Sequence, residues 1–229
     1  MTIQFDQIDE KIKAASAPFG TVNVPRRRGI YRNGLKRVFE TVVIVAALPI
    51  VLPLIVVLAL IAARDGHNPF YLSERVGKNG KTFRMAKLRT MVPHADELLE
   101  EYLASNSDAR TEWKLTQKLK NDPRITRFGR LLRKSSMDEL PQLWNVLIGD
   151  MALVGPRPML PEQRPLYPGL AYYALRPGIT GSWQVSDRND SEFCKRAEHD
   201  QSYDENLSFM TDVRLLAKTV GAVLRGTGY

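Results

Sequence analysis

Asp138 and Glu139 stand side by side in Ser135-Ser136-Met137-Asp138-Glu139-Leu140-Pro141-Gln142. Adjacent carboxylates ahead of a helical pattern have two uses. The structural one is a Ser136 cap followed by first-turn acids, which favour the positive end of a helix. The chemical one is phosphoryl transfer. An aspartate can attack phosphorus, and a neighbouring glutamate can hold Mg2+, which takes oxygen ligands and keeps substrate phosphates in its shell. The local sequence alone favours the structural use. The chemical one needs cations to meet phosphate. Arg84, Lys87 and Arg89 surround Leu88, and Arg157 sits between prolines in Gly155-Pro156-Arg157-Pro158. Those prolines stiffen the backbone, and a guanidinium grips phosphate through paired N–H groups. A third stretch, Arg176-Pro177-Gly178-Ile179-Thr180-Gly181, leads on to Gln184 and Arg188. Its backbone could offer N–H groups to an anion or a base, although a plain turn before a strand is the simpler account. No Walker loop or dinucleotide fingerprint is present.

These residues need elements to carry them, and the most distinctive is apolar. Val42 to Ala63 contains no charged or polar side chain but includes Pro49 and Pro53. It is long enough to cross the ~30 Å apolar layer of a bilayer as a helix, and the prolines kink or break that helix midway. Basic residues flank both ends: Arg26, Arg27, Arg28, Arg32, Lys36 and Arg37 before it, Arg64, Arg75, Lys78, Lys81 and Arg84 after it. A simple span leaves its basic excess on the cytoplasmic side only. Both ends here favour that side, so a re-entrant helix is expected.

The chain of 229 residues carries a net charge of +8. That suits an anionic leaflet or phosphate-bearing substrates. A nucleic-acid-binding body is disfavoured, because no aromatic-studded basic stripe appears. The single cysteine, Cys194, excludes an intramolecular disulfide, and His67, His94 and His199 form no zinc pattern. Residues 1–30 read as a flexible tail, 31–64 as a basic lead-in and re-entrant membrane helix, and 65–229 as a cytoplasmic catalytic domain. Pro69–Leu72 and Lys81–Met85 predict a short β-hairpin around Gly77-Lys78-Asn79-Gly80. Helices are expected over 94–119, over Asp138–Leu147 with Leu140, Leu143, Trp144 and Leu147 on one face, and over Asn206–Arg225 with Leu207, Met210, Val213, Leu216, Val220 and Leu224 as its stripe. The fold class is α+β and mostly helical, in a monotopic membrane protein.

Taken in order, several stretches resemble one family: Glu74-Arg75-Val76-Gly77-Lys78-Asn79-Gly80, Lys87-Leu88-Arg89-Thr90-Met91, Asp122-Pro123-Arg124-Ile125-Thr126, Asp138-Glu139-Leu140-Pro141-Gln142, Gly149-Asp150-Met151, Val154-Gly155-Pro156-Arg157-Pro158 and Arg176-Pro177-Gly178-Ile179-Thr180-Gly181. Together they resemble the bacterial sugar transferases, the monotopic phosphoglycosyl transferases. In form they are closest to short members that initiate exopolysaccharide repeat units with galactose phosphate. The resemblance runs from Arg32 to Arg225. It implies transfer of a sugar-1-phosphate from a UDP-sugar, galactose or glucose, to undecaprenyl phosphate, with release of UMP. It further implies Asp138 as the nucleophile, Glu139 as an Mg2+ ligand, and Arg157 as a phosphate contact. Lys87 and Arg89 would form the polar site with Arg84 and Arg176. Pro177, Gly178, Thr180, Gly181, Gln184 and Arg188 would lie near the nucleotide, and Asp212 in the polar core. The expected partners are the UDP-sugar, undecaprenyl phosphate and inner-membrane lipids at the cytoplasmic face, with a homodimer left open and no nucleic acid. An inactive scaffold of the same fold is the competing reading, and the intact Asp138, Glu139 and Arg157 count against it. Two departures from the family pattern stand out: Leu52-Pro53 where a serine often precedes the proline, and Asp187 where a glycine is common.

Overall fold

A computed structural model of the chain describes residues 27–116, 119–186 and 193–224. Most of the expected tail, and Asp187 and Arg188, lie outside these. The apolar segment forms helix α1, Lys36–Ala62, led by a π-helical turn at Tyr31–Leu35. Its 27 residues make a rod of about 40 Å, at about 1.5 Å per residue. Pro49 and Pro53 lie within it without interrupting it. Spaced four apart, they deprive the carbonyls of Val45 and Pro49 of their amide partners. The helix break expected near Leu52-Pro53 is not seen: the helix runs through both prolines, which leave only a pair of missing hydrogen bonds where it bends most easily.

Both halves of α1 are fastened to the same body. Ile44 and Leu48 pack with Met85, Val146, Met151 and Leu153, while Leu54, Leu58 and Ala59 pack with Leu88 and Leu132. Arg37 donates to the carbonyls of Val146 and Leu147, and Arg89 Nη2 donates to Ala62 O at 2.8 Å. The other faces remain apolar and open: Val42, Val45, Ile50, Leu52, Val56 and Leu60 are exposed.

The hairpin is longer than its sequence suggested. Strands β1 (Phe70–Val76) and β2 (Thr82–Leu88) pair antiparallel, with Ser73 opposite Met85 and Arg75 opposite Phe83. Asn79 and Gly80 close the turn with φ of 58° and 79°, a left-handed conformation that asparagine and glycine tolerate. The single helix expected over 94–119 is two, α2 (Ala95–Ser105) and α3 (Ser107–Thr116). Asn106 between them is extended, and its side chain accepts from Ala109 N. Helix α4 (Arg127–Lys134) starts at Thr126, whose hydroxyl accepts from Gly129 N at 2.8 Å. Helix α5 (Gln142–Ile148) follows, then β3 (Ala152–Val154), α6 (Ala171–Ala174), β4 (Gly178–Thr180), α7 (Arg196–Glu205) and α8 (Phe209–Leu224). Strands β3 and β4 pair in parallel. Neither this sheet nor α7 was legible from the pattern.

The last helix buries part of the expected stripe, with Leu207 and Leu216 packed on the core. Met210 and Val220 are exposed, whereas Leu215 and the charged Asp212 are buried. Asp212 Oδ2 accepts from Lys36 Nζ at 2.6 Å and Tyr31 OH at 2.8 Å, and Oδ1 accepts from Tyr203 OH at 2.6 Å. Lys36 also lies 3.1 Å from Glu40, which accepts from Leu153 N. This polar knot ties the root of α1 to β3 and α8. Asp212→Ala removes the shared acceptor of Lys36, Tyr31 and Tyr203, leaving Lys36 with Glu40 and the Val154 carbonyl, and Tyr203 with that same carbonyl. It is expected to destabilise the solubilised protein by about 3–5 kcal/mol, read from denaturation midpoints. A loss below about 1 kcal/mol, the range of an exposed pair, would show that Lys36–Glu40 alone secures the knot.

Candidate active site

Asp138 and Glu139 occupy a 3₁₀ turn, Met137–Glu139, between α4 and α5. Ser136 enters it with φ of 56° and caps nothing with its hydroxyl, so the structural reading of the acids as a serine-capped helix start is not realised. Asp138 is only 7% exposed. A carboxylate is rarely buried unless paired, and the partner comes from the hairpin. Lys87 Nζ lies 2.8 Å from Glu139 Oε1 and 3.4 Å from Asp138 Oδ2. Burial pushes the Asp138 carboxyl above the ordinary range. Lys87 opposes that shift, Glu139 adds to it, and the Arg133 guanidinium again opposes it.

Asn145 sets this geometry. Its Oδ1 accepts from Ala86 N at 2.9 Å and its Nδ2 donates to Arg84 O at 2.8 Å, so one side chain satisfies the backbone of β2 on both sides of Met85. The buried face of α5 is thus Gln142, Asn145 and Val146, while Trp144, expected inside, is 63% exposed. Hydrophobic periodicity could not find a buried asparagine. Arg133 was also passed over, inside a segment read only as basic. Its Nε donates to Thr90 Oγ1 at 2.9 Å, and its charge acts on Asp138.

The other expected site residues separate. Arg84 pairs with Glu74 across the hairpin and faces away from Lys87, because residues three apart in a strand point to opposite faces. Arg89 holds the end of α1 instead, with Nη2 2.6 Å from Asp65 and 2.8 Å from Ala62 O. Asp212 belongs to the knot under α1. Arg157 and Arg176 are half-buried and make no hydrogen bond to Asp138 or Glu139 among the described residues. Pro177 to Gly181 is partly tied up in bonds to the body. Gly178 N donates to Pro156 O, Pro177 O accepts from Ala152 N, and Thr180 Oγ1 bonds to Thr219. Gly181 packs so closely on the Gly155 backbone that a Cβ would collide with it. Gln184 is 8% exposed, and its Oε1 and Nε2 both lack a partner.

No group of three or more metal-type side chains occurs among the described residues. Two adjacent carboxylates nonetheless fit Mg2+, which is commonly held by one or two carboxylates and completed by phosphate oxygens and water. Lys87 would share Glu139 with it.

Fold and site together define a carboxylate pair, its aspartate buried, close to a long, exposed apolar helix. The chain belongs to the bacterial sugar transferase family, whose model matches residues 31–226. It is 46% identical over 196 residues to the UDP-galactose-lipid carrier transferase of Erwinia amylovora, covering 85% of this chain and 41% of that protein. Identity to the undecaprenyl-phosphate galactose phosphotransferase of Salmonella typhimurium is also 46% over 196 residues, with the same coverage of both chains. Against the exopolysaccharide production protein ExoY of Rhizobium meliloti it is 42% over 222 residues, 94% of this chain and 97% of that one. The chain therefore spans about two fifths of the first two relatives and nearly all of the third. The family foreseen from the motifs is the family found.

The raised Asp138 pKa has a testable sign. Folding favours the neutral carboxyl, so its ionisation weakens the fold as pH rises through the folded-state value. Asp138→Asn is expected to melt higher than the parent at pH 7–8, with the gap closing below pH ~4, where the unfolded carboxyl is also protonated. A gap independent of pH would show that burial does not govern this group.

Proposed function

We propose that the protein transfers a sugar-1-phosphate from a UDP-sugar, with galactose or glucose as the sugar, to undecaprenyl phosphate at the cytoplasmic face of the bacterial inner membrane. This would be the first membrane step of exopolysaccharide synthesis. The observation that carries the reading is the buried Asp138 with Glu139 and Lys87 gathered on it. An Asp138 oxygen attacks the sugar-bearing phosphorus, a P–O bond forms, and the bond to the UMP oxygen breaks. UMP leaves with the electron pair. An oxygen of undecaprenyl phosphate then attacks the same phosphorus and returns the free carboxylate. Two steps avoid a direct encounter between two anionic phosphates. Lys87 and Arg133 offset the charge around Asp138, and burial excludes water that would hydrolyse the acyl phosphate. Bound Mg2+, held by Glu139 and if needed Asp138, would neutralise diphosphate charge.

The relatives' names support the lipid acceptor and the galactose donor. The membrane placement draws on α1. A rod fixed to the body at both ends cannot carry one end across a bilayer, while its open faces are apolar. Trp144 and Ile148 of the neighbouring α5 extend that exposed apolar surface. Re-entry from one side fits both the basic flanks and this fastening.

Two experiments test the reading. With UDP-sugar and Mg2+ but no lipid, the enzyme is expected to release about one UMP per site in a burst. Mass spectrometry should then find a phosphosugar on the Asp138 peptide, and Asp138→Asn should lose both adduct and turnover. UMP release only when lipid is present would replace the covalent route by a direct transfer. For topology, the exposed Cys194 is first replaced, and cysteines are introduced at Asn23 and Asn79. Both are expected to label from the cytoplasmic side, and labelling from opposite sides would mean a span.

A further inference from the structure

Three arginines converge at the turn end of the hairpin. Arg75 precedes Val76 on β1, Arg157 lies two residues before Met159, and Arg196 opens α7 beside Ala197. Val76, Met159 and Tyr172 form one buried cluster, with Phe193 and Ala197 packed against it. Val76 N donates to Met159 O at 3.0 Å, and Tyr172 OH donates to Val76 O at 2.5 Å. The three guanidinium groups are thereby gathered around one apolar floor. Arg196 is stacked 4.1 Å from the Trp183 ring centroid and 4.5 Å from that of Phe193. Burial first, and then the Arg157 charge, lower the proton affinity of Arg75 and of Arg196, the latter to about 10.

Among the described residues, no carboxylate forms an ion pair with any of the three. The Nε groups of Arg75 and Arg196 are buried without a hydrogen-bond partner. Glu162 acts on Arg75 and Asp200 on Arg196 only at a distance. Asp200 accepts from Tyr167 OH at 2.9 Å, and burial pushes its carboxyl up to about 7, so it is only partly charged at neutral pH. Unpaired, partly buried like charges are costly, and a bound anion relieves them.

The kind of anion follows from position. Two of the three buried clusters contain residues of α1, and the cluster beneath these arginines contains none. That favours a water-borne ligand over a lipid headgroup. Arg75 shares a hairpin face with Lys87, as their pairings with Phe83 and Tyr71 require. Four residues along a strand separate the two positions by about 14 Å, at about 3.4 Å per residue. An extended ligand reacting at Asp138 can reach that far. Beside Trp183, the buried Gln184 amide has both an unpaired donor and an unpaired acceptor, which a pyrimidine edge could match.

We propose that Arg75 and Arg196 join Arg157 in a three-guanidinium site for the nucleoside phosphate half of the sugar nucleotide. The inference rests on the transfer reading above, but its test does not require turnover. UDP binding to the full chain in nanodiscs is measured by calorimetry. Arg75→Gln and Arg196→Gln are each expected to weaken UDP at least about tenfold, the loss of a charge-assisted hydrogen bond. The apparent KM for undecaprenyl phosphate should stay within about twofold, too small a change for a lost charged contact. Arg75→Lys and Arg196→Lys keep charge and bulk but lose the fork, so they should fall between; they also decide the matter if a glutamine variant fails to fold. Unchanged UDP affinity in the variants overturns the site, whether or not KM for the lipid rises, and a rise assigns the arginines to the lipid phosphate. Loss of UDP affinity in a chain that transfers no sugar phosphate supports the site and removes the transfer reading. Normal transfer with unaltered UDP affinity does the reverse.

Discussion

The site depends on one amide. Asn145, on the inner face of α5, takes the place of a neighbouring strand for β2 and satisfies an N–H and a C=O that would otherwise be buried unpaired. An unmade pair of this kind costs about 1–3 kcal/mol per group. The gain is register rather than stability alone. It locks β2 against the start of α5, so that a lysine from the hairpin meets two carboxylates from the turn before the helix. Without that lock, Lys87 would be held to the turn only through its own flexible side chain, by a 2.8 Å contact to Glu139 and a 3.4 Å contact to Asp138.

A second constraint lies beneath the apolar helix. Lys36, Glu40, Tyr31, Tyr203 and Asp212 form a buried network. Buried ion pairs add little net stability, because desolvation offsets attraction, but they are directional. Apolar contacts such as Ile44 on Met151 allow sliding, whereas the Asp212 bonds fix where α1 leaves the body. Arg37 and Arg89 add a hydrogen-bonded hold near each end. The apolar helix and the buried carboxylate are therefore held in one frame, which the proposed transfer from an aqueous donor to a lipid acceptor would need.

Charge is divided along the hairpin. At one end Lys87 is neutralised by the acids. At the other, Arg75, Arg157 and Arg196 form no ion pair among the described residues. The chain's net charge of +8 is thus unevenly placed, and the proposed arginine site would add attraction for an extended anionic substrate.

The family, the apolar helix and the hairpin were legible in the sequence, as was the Asp138-Glu139 pair as a feature to examine. They rest on local signals: an uninterrupted apolar run, a Gly-Lys-Asn-Gly turn, and spaced motifs in fixed order. Tertiary structure alone decided which basic residues serve which task. Arg84 and Lys87 are near neighbours in sequence but face opposite ways, since strand alternation separates them. Arg89 and Asp212 went to the helix anchor because their partners come from residues far along the chain. Asn145 and Arg133 gave no periodic signal, since a buried polar group is recognised by its partner and not by its spacing. The arginine cluster joins β1, the Pro156-Arg157-Pro158 loop and α7, and only the packing of Val76, Met159 and Tyr172 brings three such distant segments together.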